Sequence, residues 1–342
     1  MQPALPRHPL VTIAIGNFNY ARYLDRAIAS AVGQTYPRVE VLVIDDGSTD
    51  HSREVIAGWP GKVTAVFKAN GGQISVYNEA IARAQGDILI FLDADDHLDT
   101  GAVACIVEAF QPGVVKVHYK LRMVDADDRP LGGTIPHRLS SGDEPRRLLM
   151  SGCLYNSAPG SGNAYATWAL KKIAPLPLMR REKHGGDFFC VYSMPFLGDI
   201  GAVDRVLGSY RIHHESVASA LTFGNANRGK VEPLRTFLRY GVLRRWLAGR
   251  LPEVKLPRRT TDFSLEKIGF ASAVFGSGGY FAGLKAGSRR LAPLCRSIVK
   301  RPGNPLAKPV LLAWTGAVLL LPRPWGKPIA RYICNPASRN RT

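Results

Sequence analysis

Ile88-Leu89-Ile90-Phe91-Leu92 runs straight into Asp93-Ala94-Asp95-Asp96, and the rest of the chain reads outward from this junction. The five apolar residues have the length and branching of a buried strand. A carboxylate is costly to desolvate unless something pairs with it. The three acids therefore belong just past the strand end, where water, a cation or a ligand meets them. In a strand-like extension Asp93 and Asp95 share one side, because side chains alternate with period two. Two hard oxygen ligands on one side suit Mg²⁺ or Mn²⁺, which bind through one or two carboxylates and complete their shell with water and phosphate oxygens. The same residues also suit an acidic turn that caps a helix starting near Thr100.

Upstream, strands and helices alternate. Leu10–Ile15 is a strand by composition, and Gly16-Asn17-Phe18-Asn19 breaks it. Arg22–Val32 carries Tyr23, Leu24, Ala27, Ile28 and Ala31 at helical spacing. Val39–Ile44 reads as a second strand, buried on both faces of a parallel sheet. Asp45-Asp46-Gly47-Ser48-Thr49-Asp50 follows at once. A short helix at Ser52–Ala57 and a third strand at Val63–Phe67 come next. Asn70-Gly71-Gly72-Gln73 then introduces a helix near Ile74–Ala84, which Gly86 ends. This alternation predicts an α/β fold, an open and mostly parallel sheet with right-handed crossovers. Ligands bind such sheets outside the carboxyl ends of the strands, where loops 16–19, 45–50 and 93–96 gather. Gly47 and the Gly71-Gly72 pair allow backbone to approach a ligand closely. No GxGxxG follows the first strand and no GxxxxGK[ST] occurs, against a dinucleotide-binding domain and a P-loop.

The 342 residues allow one large or two medium domains, and 46% hydrophobic content is globular. Five scattered cysteines without a CxxC pair argue against a zinc site or disulfide scaffold and fit a reducing compartment. No apolar run follows the basic residues near the N-terminus, so no signal peptide is expected and a cytoplasmic location is. Charge is unevenly placed. Residues 1–110 carry 8 Lys and Arg against 13 Asp and Glu, net −5; residues 111–221 carry 14 against 10, net +4; residues 222–342 carry 23 against 4, net +19. An acidic half is joined to a strongly basic tail that suits nucleic acid, anionic lipid or a phosphorylated substrate.

Thr12–Pro37, Val43–Asp50, Asn70–Ala80 and Phe91–Asp96 together resemble the nucleotide-sugar-binding half of family 2 glycosyltransferases, inverting enzymes of GT-A fold. Ile44-Asp45-Asp46-Gly47-Ser48-Thr49-Asp50 is similar to the family's nucleotide-binding loop, and Phe91-Leu92-Asp93-Ala94-Asp95-Asp96 to its metal-binding DXD motif. Farther on, Ser161-Gly162-Asn163-Ala164-Tyr165 resembles a Ser-Gly-Asn segment of a bacterial subgroup. His184-Gly185-Gly186-Asp187-Phe188-Phe189 resembles the acidic motif that supplies the catalytic base, and Leu207-Gly208-Ser209-Tyr210-Arg211-Ile212-His213 the segment that closes the site. One departure stands out: many members have Glu-Asp at the base motif, where this chain has Gly186-Asp187.

The resemblance implies a hexosyltransferase-like, metal-dependent enzyme. Asp187 is then the general base that takes the proton of an acceptor hydroxyl during attack, a contribution of about 10²–10⁴-fold. Ile15, Asn17, Asp45, Asp46, Gly71, Gln73, Asn78, Asp93, Ala94 and Asp95 surround the nucleotide sugar, with Asp46 on the base or ribose. Asp95, Asp93 and His213 hold Mg²⁺ or Mn²⁺, and His214 is a further candidate for phosphate or metal. Arg211 pairs with phosphate or a site carboxylate. Against these roles stand plainer ones: a turn aspartate at Asp46, a cap for a helix Phe188–Phe196 at Asp187, a surface arginine at Arg211 and structural histidines.

The expected organisation is a glycosyltransferase domain over 1–220, with a nucleotide-sugar half (1–110) and an acceptor half (111–220), then a basic, mostly helical region over 221–342. In that region Arg235–Trp246 has helical spacing, while Ile268–Leu284 and Pro309–Pro322 lack charges. Both uncharged runs are shorter than the roughly 18–20 apolar residues that span a bilayer. With bases flanking them, they suit either an interfacial segment on an anionic membrane surface or a helical cap with a solvated basic face. No nucleic-acid-binding motif accompanies the charge. The expected partners are a nucleotide diphosphate-sugar donor, a glycan or lipid-linked acceptor and that membrane surface. The competing readings are a nucleotidyltransferase of related fold and a non-catalytic nucleotide-sugar or glycan binder.

Overall fold

The computed structural model describes residues 5–179, 183–213, 234–276, 278–300 and 304–335. His214 lies outside them. The chain divides into two units: residues 1–149, 155–211 and 246–254 form the first; residues 150–154, 212–245 and 255–342 form the second.

Among the described residues the first unit is built on a nine-stranded sheet. Its parallel half is β1 (Val11–Asn17), β2 (Val39–Asp45), β3 (Thr64–Phe67) and β4 (Ile88–Asp93), with β1 between β2 and β4. The chain thus steps outward from β1 to β3 and then returns to the other side of β1, the switch point where α/β sheets bind ligands. Register places Gly16 beside both Ile44 and Asp93, and Asn17 beside Asp45. The polar residues at the strand ends are therefore level along one edge. Helix α1 (Ala21–Val32) buries Leu24, Ala27, Ile28 and Ala31, the face its spacing predicts. They join Ile13, Ile15, Val43, Ile90 and Leu92 in one core. β3 is an exposed edge strand. The short α2 (Ser52–Ala57) precedes it, and α3 (Gln73–Arg83) follows it.

Beyond β4 the sheet turns mixed. A two-residue strand β5 (His97–Leu98) precedes α4 (Ala102–Glu108), so the helix expected near Thr100 begins later. The long β6 (Val114–Val124) pairs with β7 (Pro130–Ile135), and β8 (Asn163–Ala166) inserts antiparallel between β4 and β6. Strand β9 (Asp199–Arg211) runs parallel to β6 and antiparallel to β5. Helices α5 (Glu144–Met150), α6 (Thr167–Ile173) and α7 (Gly186–Ser193) connect them. α7 starts two residues before the expected Phe188 and gives way to a 3₁₀ turn at Met194–Phe196.

The second unit is helical. α8 (Leu234–Arg250) starts in it, followed by α9 (Phe263–Gly276), α10 (Tyr280–Lys300), α11 (Ala307–Leu320) and α12 (Arg323–Cys334). Phe270, Val274, Leu294, Ile298, Trp314, Val318 and Ala330 form its core. Arg323 closes the end of α9 by donating to the carbonyls of Val274 and Phe275 at 3.4 and 3.2 Å.

Candidate active site

Asp93 ends β4, and a hydrogen-bond chain shapes the turn after it. The Asp96 N–H donates to the Asp93 carbonyl at 3.0 Å. Ser161, in a buried 3₁₀ turn (Gly160–Gly162), accepts from the Asp93 N–H at 3.0 Å and donates Oγ to Asp96 at 2.6 Å. Asp96 also accepts the Arg211 N–H at 2.8 Å. Arg211 lies 1% exposed at the end of β9, over the Tyr23 ring at 4.5 Å. Its guanidinium donates to the carbonyls of Asp95 and Asp125 at 2.8 and 2.7 Å and to the Asp128 carboxylate at 2.5 Å. Neither Asp96 nor Arg211 is a surface group: together they hold the turn that presents Asp93 and Asp95. Asp96, Ser161 and Ala94 are buried in that support.

Asp187 comes from far along the chain, in the first turn of α7. Gly160 measures how closely it approaches Asp93. A Cβ at Gly160 would stand 3.1 Å from Tyr77 Oη, 3.2 Å from Asp93 Oδ2 and 3.9 Å from the Asp187 Cβ. Glycine at 160 keeps this space beside Asp93 and Asp187 open. Burial, then the neighbouring charges of Asp95 and Asp187, pushes the Asp93 carboxyl up to about 7. Burial and then Asp95 and Asp93 push Asp96 up as well. The Tyr210 hydroxyl is pushed up by burial and then by Asp96, Asp93, Asp95 and Asp187, so one ring feels all four acids.

Gln73 joins the two motifs. Its side chain draws the Asp93 carboxyl down against burial and the neighbouring charges, and its Oε1 accepts the N–H groups of Gly185 at 2.7 Å and Gly186 at 3.3 Å. Four residues on, Tyr77 lies under the acids, stacked on Phe91 at 3.8 Å, with no partner for its buried hydroxyl among the described residues. Gly186, the departure from the family's Glu-Asp, packs on this ring; a Cβ there would stand 2.8 Å from Tyr77 Cγ. Tyr77 and Gly160 are absent from the sequence reading. The spacing from Gln73 to Tyr77 puts both on one helix face, a signal that could have found Tyr77.

The other expected site residues divide between the strand-end edge and the scaffold. Asn17 donates to Asp45 at 2.8 Å and to Ser48 Oγ at 3.1 Å, and its Oδ1 is buried without a donor among the described residues. Asp45 also takes the Ser48 N–H at 3.1 Å. The Asp46 carboxylate accepts from Lys68 at 2.5 Å, Gly71 at 2.9 Å and Gly72 at 2.7 Å, closing its loop on residues 68–72. A ligand reaching Asp46 would meet a carboxylate already bonded by three donors. The Ile15 side chain belongs to the core. Asn78 clasps the Leu176 backbone, donating to its carbonyl at 3.1 Å and accepting its N–H at 2.7 Å. His213 is half-buried and falls in the second unit. Among the described residues no three His, Cys, Asp or Glu side chains form a ready metal cage. The donor set at the turn suits the other mode, one or two carboxylates completed by phosphate and water. An acid cluster that raises its own Asp93 fits a divalent cation there.

Comparison with known proteins identifies the family and the fold. The profile of glycosyl transferase family 2 matches residues 12–172. An uncharacterized glycosyltransferase of Nostoc sp. PCC 7120 is 38% identical over 221 residues, 61% of this chain and 68% of that protein. The chondroitin synthase of Pasteurella multocida is 40% identical over 107 residues, 30% of this chain but 11% of that enzyme. Among solved structures, Staphylococcus aureus TarS 1–349 in complex with UDP-GlcNAc superposes with a TM-score of 0.56 at 15% identity, covering 95% of this chain and 90% of that one. The protein is a glycosyltransferase with the GT-A fold. It belongs to glycosyl transferase family 2.

Proposed function

We propose that the protein moves a sugar, with inversion, from a nucleotide diphosphate-sugar to an acceptor hydroxyl in bacterial glycan or polysaccharide synthesis. The approach of Asp93 and Asp187 beside Gly160 carries this reading. Asp187 takes the proton of the acceptor hydroxyl as its oxygen attacks the anomeric carbon. The bond from that carbon to the diphosphate breaks on the opposite face, which inverts the centre. Asp93 and Asp95 are the residues that would hold Mg²⁺ or Mn²⁺ against the diphosphate. When bound, such an ion would supply charge neutralisation for the leaving diphosphate. Asn17, Asp45, Asp46 and Gly71 frame the nucleotide end, and Gln73 keeps Asp93 and Asp187 in register. Residues 1–220 act as the catalytic domain. The net charge of +19 over 222–342 supports contact with an anionic membrane surface on the cytoplasmic side, which suits a lipid-linked or cell-surface acceptor.

The test is a melting-temperature panel of UDP-, GDP- and dTDP-sugars with Mn²⁺ or Mg²⁺. A donor at 100 times its dissociation constant adds about 2.7 kcal/mol of stability. Transfer by the identified donor should vanish in Asp95→Ala and Asp187→Ala while both variants keep their fold. Donor binding without transfer in the unaltered chain would leave a nucleotide-sugar binder, and transfer surviving Asp187→Ala would remove the base.

A further inference from the structure

We infer that the outward face of α11, flanked by basic residues of α10, docks on the surface of an anionic phospholipid bilayer. This rests on the membrane contact proposed above and assigns it to particular side chains. The face of α11 that packs inward is Leu311, Trp314, Thr315 and Val318. Its opposite face is equally apolar. Leu306, Val310, Ala313, Ala317 and Leu320 fall on one stripe at spacings of three and four, and Leu306, Val310 and Leu320 are 76%, 66% and 63% exposed. Not one charge lies between Pro309 and Pro322. Single exposed apolar residues need no explanation, whereas a whole helix face of them marks an interaction surface. A helix that is apolar all round is normally buried.

The next helix repeats the pattern. Trp325, Ile329 and Tyr332 form an exposed stripe on α12, while Gly326, Ala330 and Cys334 turn inward. Trp and Tyr have an apolar body and a polar tip, the form that sits at a membrane–water boundary.

Charge selects the occupant. α10 runs antiparallel beside α11. Lys308 Nζ donates to the Val299 carbonyl at 2.7 Å at one end, and the Tyr280 hydroxyl to the Leu320 carbonyl at 2.8 Å at the other. Lys285, Arg289, Arg296 and Lys300 recur on one exposed face of α10. Apolar and basic faces on adjacent helices match acyl chains beneath anionic headgroups. Among the described residues no helix is long and apolar enough to cross a membrane, so the contact is one of lying on the surface.

The experiment uses the full chain with vesicles of phosphatidylcholine alone and of phosphatidylcholine mixed with phosphatidylglycerol, read by co-sedimentation and tryptophan emission. Binding to the anionic vesicles, a blue shift and weakening by salt are expected. Val310→Ser with Leu320→Ser should weaken binding tenfold or more. Lys285→Gln with Arg289→Gln should weaken it about fivefold per charge. Both pairs should leave melting temperature and donor binding unchanged. Equal binding to neutral vesicles, indifference to both variant pairs, or self-association without vesicle binding would overturn the proposal. Donor failure with vesicle binding intact would strike the catalytic reading and spare this one.

Discussion

Gln73 Oε1 accepts the Gly185 N–H at 2.7 Å and the Gly186 N–H at 3.3 Å, and the same side chain draws the Asp93 carboxyl down against its burial. One uncharged residue thus links the acids after β4 to the segment that delivers Asp187.

Replacing Gln73 by leucine should break this link with little change in volume. Leaving two backbone N–H groups without their acceptor costs about 1–3 kcal/mol, so transfer should fall about five- to a hundredfold. Steady-state rates with donor and acceptor varied separately check this. An unchanged turnover would mean that Asp187 is positioned without Gln73.

Gly186→Ala brings a methyl group to 2.8 Å from the Tyr77 ring. Overpacking of that kind costs about 1–3 kcal/mol and should lower the melting temperature together with activity. Tyr77→Leu in the same chain should recover part of the loss, because the two changes share one contact. Strictly additive effects in a double-mutant cycle would refute the contact.

Arg211→Lys should loosen the turn that carries Asp95. Lysine lacks the planar fork that reaches three partners at once, and Asp128 is left with its pair to Arg26 alone among the arginines. The expected loss is about 2–4 kcal/mol, below the range for a fully buried pair because Asp128 is partly exposed. Chemical denaturation measures it. A loss within experimental error would show that other bonds hold the turn.

Lys116 gives a dependence on pH. It is buried beside His118 and Ser157, with Nζ 2.9 Å from Ser157 Oγ and 3.2 Å from His118 Nδ1. Burial pushes its amine well below the usual lysine range. The folded chain therefore binds fewer protons than the unfolded one, and this group's contribution makes stability rise with pH towards the free lysine value of about 10.4. Lys116→Met should stabilise the protein most near neutrality, and its advantage should shrink as pH climbs. Melting temperatures of the two proteins from neutral to alkaline pH test this. A constant gap would mean that Lys116 keeps its proton in the fold.

Local chemistry alone determined the parallel half of the sheet and the placing of its acids. Apolar runs such as Ile88–Leu92 must bury, carboxylates such as Asp93 must not be buried unpaired, and side-chain periodicity needs only neighbours in the chain. The same locality left β6, β7, β8 and β9 unread. It also left open that Asn78 clasps Leu176, that Arg211 is an internal brace and that Gly186 is needed against Tyr77. Residues 73, 77, 93, 160 and 187 meet only because β8 inserts beside β4 and α7 returns over α3. Such contacts follow from how elements pack across long chain separations, and they decide which polar groups hold the site and which remain for a ligand.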